Sequence, residues 1–208
     1  MKALVVDYEM GNLGSVRRSF EECGAEVLVS SNPKDLKLAT HIVLPGVGAF
    51  AEGMEHLIRG GWVEPLRRAV LSDRIPTLGI CLGMQLFADR GFEKGDTRGL
   101  GLIAGKVALL EPGNTHCRIP HIGWNEVDVT PHTPLFSDIP NKSDFYFVHS
   151  FQFIPERTES IIGRTPYCDT FVSAIQSDNA FGVQFHPEKS SRAGLKLIHS
   201  FLEYRPHV

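Results

Sequence analysis

The first half of the chain alternates short apolar, β-branched runs with segments of helical spacing, and nothing else constrains the fold as strongly. Ala3–Asp7 is an apolar run suited to a strand buried on both faces. After Gly11-Asn12, the residues Leu13, Val16, Phe20 and Cys23 follow helical spacing, and Gly24 supplies a stop. Glu26–Ser30 reads as a second strand, Pro33–Leu38 as a short helix and His41–Leu44 as a third strand. The loop PGVGAF leads into a helical region from Ala51 to Leu71, interrupted at Gly60-Gly61. Thr77–Ile80 is a fourth strand running directly into CLGMQLF, a helix start. Such alternation predicts an α/β fold with a mostly parallel central sheet and helices on both faces.

Between Lys106 and Gln184 the runs KVALL, NEVDVT, FYFVHSF, FVSAIQ and FGVQF predict a smaller antiparallel or mixed β portion. Ser190–Tyr204 predicts a closing helix with Leu195, Ile198, Phe201 and Leu202 on its apolar face. No linker, low-complexity tract or repeat divides residues 1–208, which are expected to form one domain.

Charge removes several classes of function. The chain has 21 Lys+Arg against 24 Asp+Glu and no basic block, so it lacks the footprint of a nucleic-acid or anionic-membrane binder. No stretch approaches the ~18 apolar residues of a membrane span, and the apolar start is too short for a signal peptide. Cys23, Cys81, Cys117 and Cys168 are scattered without a CxxC pair, which predicts free thiols in a cytoplasmic protein. His116, Cys117 and His121 match no zinc spacing, so neither a metal nor a cofactor is expected. GLGLIAG at 99–105 departs from the dinucleotide fingerprint because its third glycine falls one residue late.

Gly79-Ile80-Cys81-Leu82-Gly83 has the form of a nucleophile elbow, with cysteine in place of serine. A strand entering a helix through a tight turn exposes the sulfur, and flanking glycines tolerate the turn and its close packing. The helix start favours negative charge on the sulfur and leaves the Leu82 N–H facing a developing oxyanion. FGVQF ends in His186-Pro187-Glu188, where a histidine can serve the nucleophile while a carboxylate orients its other nitrogen. Pro45-Gly46-Val47-Gly48 follows the third strand and would lie at the same sheet edge. Each piece has a plain alternative: a core cysteine, a structural histidine, an ordinary turn. Their co-occurrence in one α/β chain favours chemistry.

GICLGMQ, FGVQFHPE and LPGVGAF together resemble the triad-type, class I glutamine amidotransferases. Within that family DYEMGNLGSVRRSF, PHIGWN and YFVHSF are similar to the glutaminase subunits of imidazole glycerol phosphate synthases. The resemblance covers essentially the whole chain and implies a flavodoxin-like sheet. It implies Cys81 as nucleophile, His186 as general base and acid, and Glu188 as orienting carboxylate. It places the N–H groups of Val47 and Leu82 in the oxyanion hole, and Gly48, Gln85, Glu93, His149, Ser150 and Phe151 around the substrate L-glutamine. It also implies a (β/α)₈-barrel cyclase as heterodimer partner that uses the ammonia to close an imidazole ring in histidine biosynthesis. Tyr8, Asn12 and Trp124 are the candidate docking residues.

Glu9 and Arg118 depart from the subunit's usual pattern, which leaves room for a paralogue feeding a synthase that amidates a surface sugar. A Cys-His hydrolase and a catalytically silent binding module are the remaining alternatives. Gln85 and the HPE ending argue against the first, and an intact Cys81, His186 and Glu188 against the second.

Overall fold

The computed structural model of the chain describes residues 1–112 and 117–206. Its first half follows the predicted alternation: β1 (Lys2–Val6), α1 (Leu13–Glu22), β2 (Glu26–Ser30), a 3-10 turn at Pro33–Leu38, β3 (His41–Gly46), α2 (Phe50–Arg59), α3 (Val63–Leu71), β4 (Thr77–Cys81) and α4 (Leu82–Gln85). Beyond them lie β5 (Arg90–Gly91), β6 (Thr97–Arg98), β7 (Gly105–Leu109), β8 (His121–Val129), β9 (Ser143–His149), β10 (Phe151–Pro155), β11 (Ile161–Thr165), β12 (Phe171–Ser177) and β13 (Ala180–Val183). A 3-10 turn at Pro187–Lys189 leads into α5 (Ser191–Glu203). None of the described helices is long and apolar enough to cross a membrane.

The main sheet has the strand order β2-β1-β3-β4-β13-β12-β11-β8-β9, and β10-β7-β5-β6 form a second sheet. β1 to β4 are parallel, as expected. The second half differs from expectation in one respect. Most of its antiparallel strands extend the main sheet instead of forming a separate patch, and β13 pairs parallel with β4. That pairing brings the end of the FGVQF run beside the end of the strand carrying Cys81, with Val183 opposite Ile80.

Alternation along the buried strands feeds two cores. Leu4, Val6, Ile42 and Leu44 pack with Met54, Leu57, Leu66 and Met84 on one face. Ala3, Val5, Val43, Leu78 and Ile80 pack with Val16 and Phe20 of α1 and Leu197, Ile198 and Phe201 of α5 on the other. Both faces of the parallel half are therefore covered, which explains why its strands read as continuous apolar runs.

The expectation of four free thiols fails. Cys23 and Cys81 are free, but Cys117 and Cys168 form a disulfide across 51 residues of sequence. β8 and β11 pair antiparallel, and Cys117 precedes the first while Cys168 follows the second. Linear spacing carries no sign of that approach. His116 lies outside the described residues.

Two glycines give opposite expectations. A Cβ at Gly83 would collide with the Leu44 carbonyl oxygen, which is backbone and cannot turn aside. Gly83→Ala should therefore destabilise by about 1–3 kcal/mol or more. Gly14 is exposed in α1, where an added Cβ meets only Asn12 Oδ1 at 3.9 Å. Gly14→Ala should stabilise by about 0.5–1 kcal/mol. Urea denaturation of the two variants checks both signs.

Candidate active site

Cys81 closes β4 with φ 53° and ψ −108°, a strained conformation for any residue with a Cβ. The neighbouring glycines permit it. A Cβ at Gly79 would lie 2.7 Å from the Met84 nitrogen and 2.8 Å from the Gly83 carbonyl carbon. The turn can thus fold back on its own strand, which makes the pentapeptide an elbow in fact as well as in pattern. The helix after it is only one turn, Leu82–Gln85. A macrodipole that short is weak, so the stabilising positive charge beside the sulfur falls to His186 rather than to the helix. Leu82 is the first residue of α4, and its N–H is one of those a helix start leaves without an intrahelical partner.

His186 is 2% exposed, and its Nδ1–H donates to Glu188 Oε1 at 2.8 Å. Nε2 has no hydrogen-bond partner at ordinary geometry and is the ring nitrogen left for Cys81. Burial alone would lower the histidine pKa. The interactions with Cys81 and Glu188 outweigh burial and raise it to about 10, favouring the imidazolium form. The main chain here is clamped: the His186 N–H donates to Tyr146 O at 2.9 Å, and Ser190 Oγ donates to His186 O at 2.6 Å. The same Ser190 Oγ accepts the Tyr146 N–H at 3.0 Å.

In front of Cys81 opens a cavity of ≈490 Å³ lined by Val47, Gly48, Ala49, Cys81, Leu82, Gln85, Glu93 and the segment Val148–Phe151. All the residues expected around the substrate meet here. Gln85 Nε2 donates to Phe151 O at 3.1 Å and to Gln184 Oε1 at 2.9 Å, so its amide braces the cavity wall. Glu93 Oε2 accepts the Phe50 N–H at 2.6 Å, a carboxylate seated at the start of α2. His149 Nδ1–H donates to Phe151 O at 2.8 Å, leaving Nε2 to accept from His121 Nδ1 at 3.1 Å. Burial lowers the pKa of His149 to about 3 and of His121 to about 4, so both rings are neutral.

Two sequence expectations change. The Val47 N–H donates to Met10 O at 2.8 Å and is therefore not free in this structure for the expected role. Tyr8, expected on a docking surface, is 4% exposed and packs into the core. Strand β1 and the loop after it tuck the ring under Gly46, which linear position does not reveal. Trp124 is 54% exposed with Ile122, 60% exposed, beside it on β8, and Asn12 is exposed at the start of α1.

Gln184 and Ser190 escaped the sequence reading. Gln184 is fully buried, and its Nε2 lies 3.6 Å from Cys81 Sγ. The available signal was an amide within an apolar run, two residues before His186 and so on the same side of an extended chain. Ser190 gave no comparable signal.

The fold has close structural counterparts. A structure described as glutamine amidotransferase superposes with TM-score 0.75 over 96% of this chain and 97% of its own at 16% identity. The structure of PurLQS from Thermotoga maritima gives TM-score 0.75 at 20% identity over 98% of each chain. The profile of the family Glutamine amidotransferase class-I matches residues 4–203. Imidazole glycerol phosphate synthase subunit HisH 1 of Campylobacter jejuni (strain RM1221) is 47% identical over 95% of this chain and 98% of its own. The HisH subunit of Pelagibacter ubique (strain HTCC1062) is 41% identical over 97% of this chain and 99% of its own. The chain belongs to the class I glutamine amidotransferases and, within them, to the HisH family.

The raised His186 pKa fixes a sign for pH dependence. The imidazolium persists through neutral pH and is lost as pH rises through its raised value. Glu188→Gln removes one of the raising interactions, so the alkaline limb of kcat/KM should move to lower pH. A pH profile of glutamine hydrolysis by both proteins measures the shift.

Proposed function

We propose that the chain is the glutaminase subunit of an imidazole glycerol phosphate synthase, hydrolysing L-glutamine and passing ammonia to a (β/α)₈-barrel cyclase in histidine biosynthesis. The observation that carries the reading is the buried Cys81–His186–Glu188 array, with Cys81 on the wall of the ≈490 Å³ cavity. Near full-length similarity to relatives named as imidazole glycerol phosphate synthase subunits supports the choice of acceptor.

Cys81 thiolate adds to the side-chain carboxamide carbon of glutamine, and the carbonyl oxygen becomes an oxyanion facing the Leu82 N–H. Collapse of that adduct breaks the C–N bond while His186 Nε2–H protonates the departing nitrogen, releasing ammonia and leaving a thioester. The now neutral His186 takes a proton from water as it attacks the thioester. Glutamate leaves and the thiolate–imidazolium pair is restored. Glu188 holds the ring so that Nε2 faces the sulfur throughout. Burial of His186 and Glu188, 2% and 3% exposed, keeps this proton from exchanging freely with solvent.

One donor is missing from this resting arrangement. The Val47 N–H is bonded to Met10 O, so serving the oxyanion requires the Gly46–Val47 peptide to turn. An oxyanion donor is typically worth about 10²–10³ in rate. Whatever turns that peptide therefore controls the enzyme, and a docked partner is the natural agent because ammonia made without an acceptor is wasted. The exposed Trp124 and Ile122 supply an apolar anchor for it, and Asn12 is a candidate at the start of α1. Trp124 also packs edge-on against Tyr146, whose backbone clamps His186. The chemistry needs Cys81 as a free thiol, and it is one of the two free cysteines.

Glutamine hydrolysis should be slow alone and strongly stimulated by the barrel cyclase with its ligand bound. Cys81→Ala should abolish it, by at least ~10³-fold. Loss in the mutant with no response to that cyclase would overturn the histidine assignment and favour the sugar-amidating paralogue. Trp124→Ala should weaken the complex by about 2 kcal/mol, read by calorimetric titration. An unchanged affinity removes Trp124 from the interface.

A further inference from the structure

Beyond the triad, four buried side-chain hydroxyls among the described residues have no hydrogen-bond partner, those of Tyr8, Thr165, Ser173 and Ser200, and that of Tyr8 lies against the loop in front of Cys81. The hydroxyl of Tyr8 is among the buried side-chain atoms without a hydrogen-bond partner, on a residue 4% exposed. A buried hydroxyl without a partner is unfavourable, and native chains retain few of them. Its position is not loose. The Tyr8 carbonyl accepts from His56 Nδ1 of α2 at 3.0 Å, and the ring lies in the core with Leu44 and Leu82.

The hydroxyl sits against Gly46. A Cβ there would collide with the Tyr8 oxygen, so only glycine lets the phenol approach this backbone. The rest of the β1–α1 loop runs along the same segment: Met10 O takes the Val47 N–H at 2.8 Å, and an added Cβ at Gly48 would lie 3.0 Å from Met10 Cε. Tyr8 and Met10 thus attend the two ends of one peptide unit, Gly46–Val47.

Planarity couples the two ends of that unit when it turns. In a trans peptide the N–H and C=O point in opposite directions. With the Val47 N–H on Met10 O, the Gly46 carbonyl points away from the β1–α1 loop. Turning the N–H toward the oxyanion swings the Gly46 oxygen to the side of that loop. There Met10 O would repel it, and it needs a donor.

We infer that Tyr8 is a positioning residue whose hydroxyl donates to the Gly46 carbonyl oxygen in the turned, catalytically competent state, holding the Val47 N–H on the oxyanion. The phenol remains a donor because burial, and then the nearby Cys81 charge, hold its pKa far above the ordinary tyrosine value. The inference rests on the glutaminase reading and on the turn of the Gly46–Val47 peptide, and it adds the group that captures the turned state.

Tyr8→Phe keeps the ring and removes only the unpartnered oxygen. In the assembled complex with the barrel cyclase and its ligand, the variant should lose about tenfold in kcat for glutamine hydrolysis with KM for glutamine unchanged, about one hydrogen bond's worth. The melting temperature of the isolated variant should be equal or higher, because the resting state loses nothing. Full wild-type kcat, or a loss accounted for by raised KM or lowered melting temperature, overturns the inference. A second measurement does not depend on the variant. In a structure of the complex carrying Cys81→Ala with glutamine bound, Tyr8 Oη should lie within hydrogen-bond distance of Gly46 O, and a separated pair overturns it as well. Wild-type complex run in parallel separates the causes. If it shows no stimulation by the cyclase, the glutaminase-subunit reading has failed; if it is stimulated and Tyr8→Phe matches it, only the role of Tyr8 has.

Discussion

The site depends on one strained residue. Cys81 occupies a left-handed φ that costs a non-glycine residue on the order of 1–3 kcal/mol, and the close backbone packing of its flanking glycines accommodates that angle. Gly79 lies against the backbone of Gly83 and Met84, while Gly83 lies against the carbonyl of Leu44 on the adjacent strand. Strand β3 therefore presses on the elbow from one side, and β13 pairs with β4 on the other. The rigid parallel sheet pins the sulfur at its carboxyl edge. Every other catalytic part is delivered to that fixed point by a neighbouring strand.

The neighbours differ in how tightly they are held. His186 is fixed by Tyr146 O, by Ser190 Oγ and by Glu188, all within buried surroundings. Its charge is stabilised by the groups it serves, Cys81 and Glu188, against the opposing effect of burial. In the Gly46–Val47 peptide the Val47 N–H donates to Met10 O, and Val47 itself is 44% exposed. On the proposed reading, a prebuilt Cys81–His186 pair beside a Val47 N–H committed to Met10 O suits an enzyme whose product has value only when an acceptor is waiting. The buried, unpartnered hydroxyl of Tyr8 lies where a second position of that peptide would use it.

Much of this was legible in the linear chain. Apolar runs at strand length, glycine stops and helical spacing marked the four parallel strands, because a strand buried on both faces has little freedom in composition. The elbow was legible because a left-handed turn against backbone leaves glycine as nearly the only choice at positions 79 and 83. His186 and Glu188 were legible because a catalytic histidine needs a carboxylate within reach, and two residues apart in sequence is within reach. The strands Ile161–Thr165, Arg90–Gly91 and Thr97–Arg98 were not, being short or polar and held by their partners rather than by their own pattern.

The sequence by itself singled out the residues proposed to carry the chemistry and the local turns that present them, since these depend on φ preference, side-chain chemistry and short-range spacing. Tertiary structure alone decided what depends on distant segments meeting. It paired β13 with β4, so that Gln184 approaches Cys81 across 103 residues. It joined Cys117 to Cys168, buried Tyr8 and left Trp124 exposed. It also gave the Val47 N–H to Met10. The physical reason is common to all of these: a hydrogen bond or contact between remote groups is set by sheet order and loop packing, and neither is encoded in the residues on either side of it.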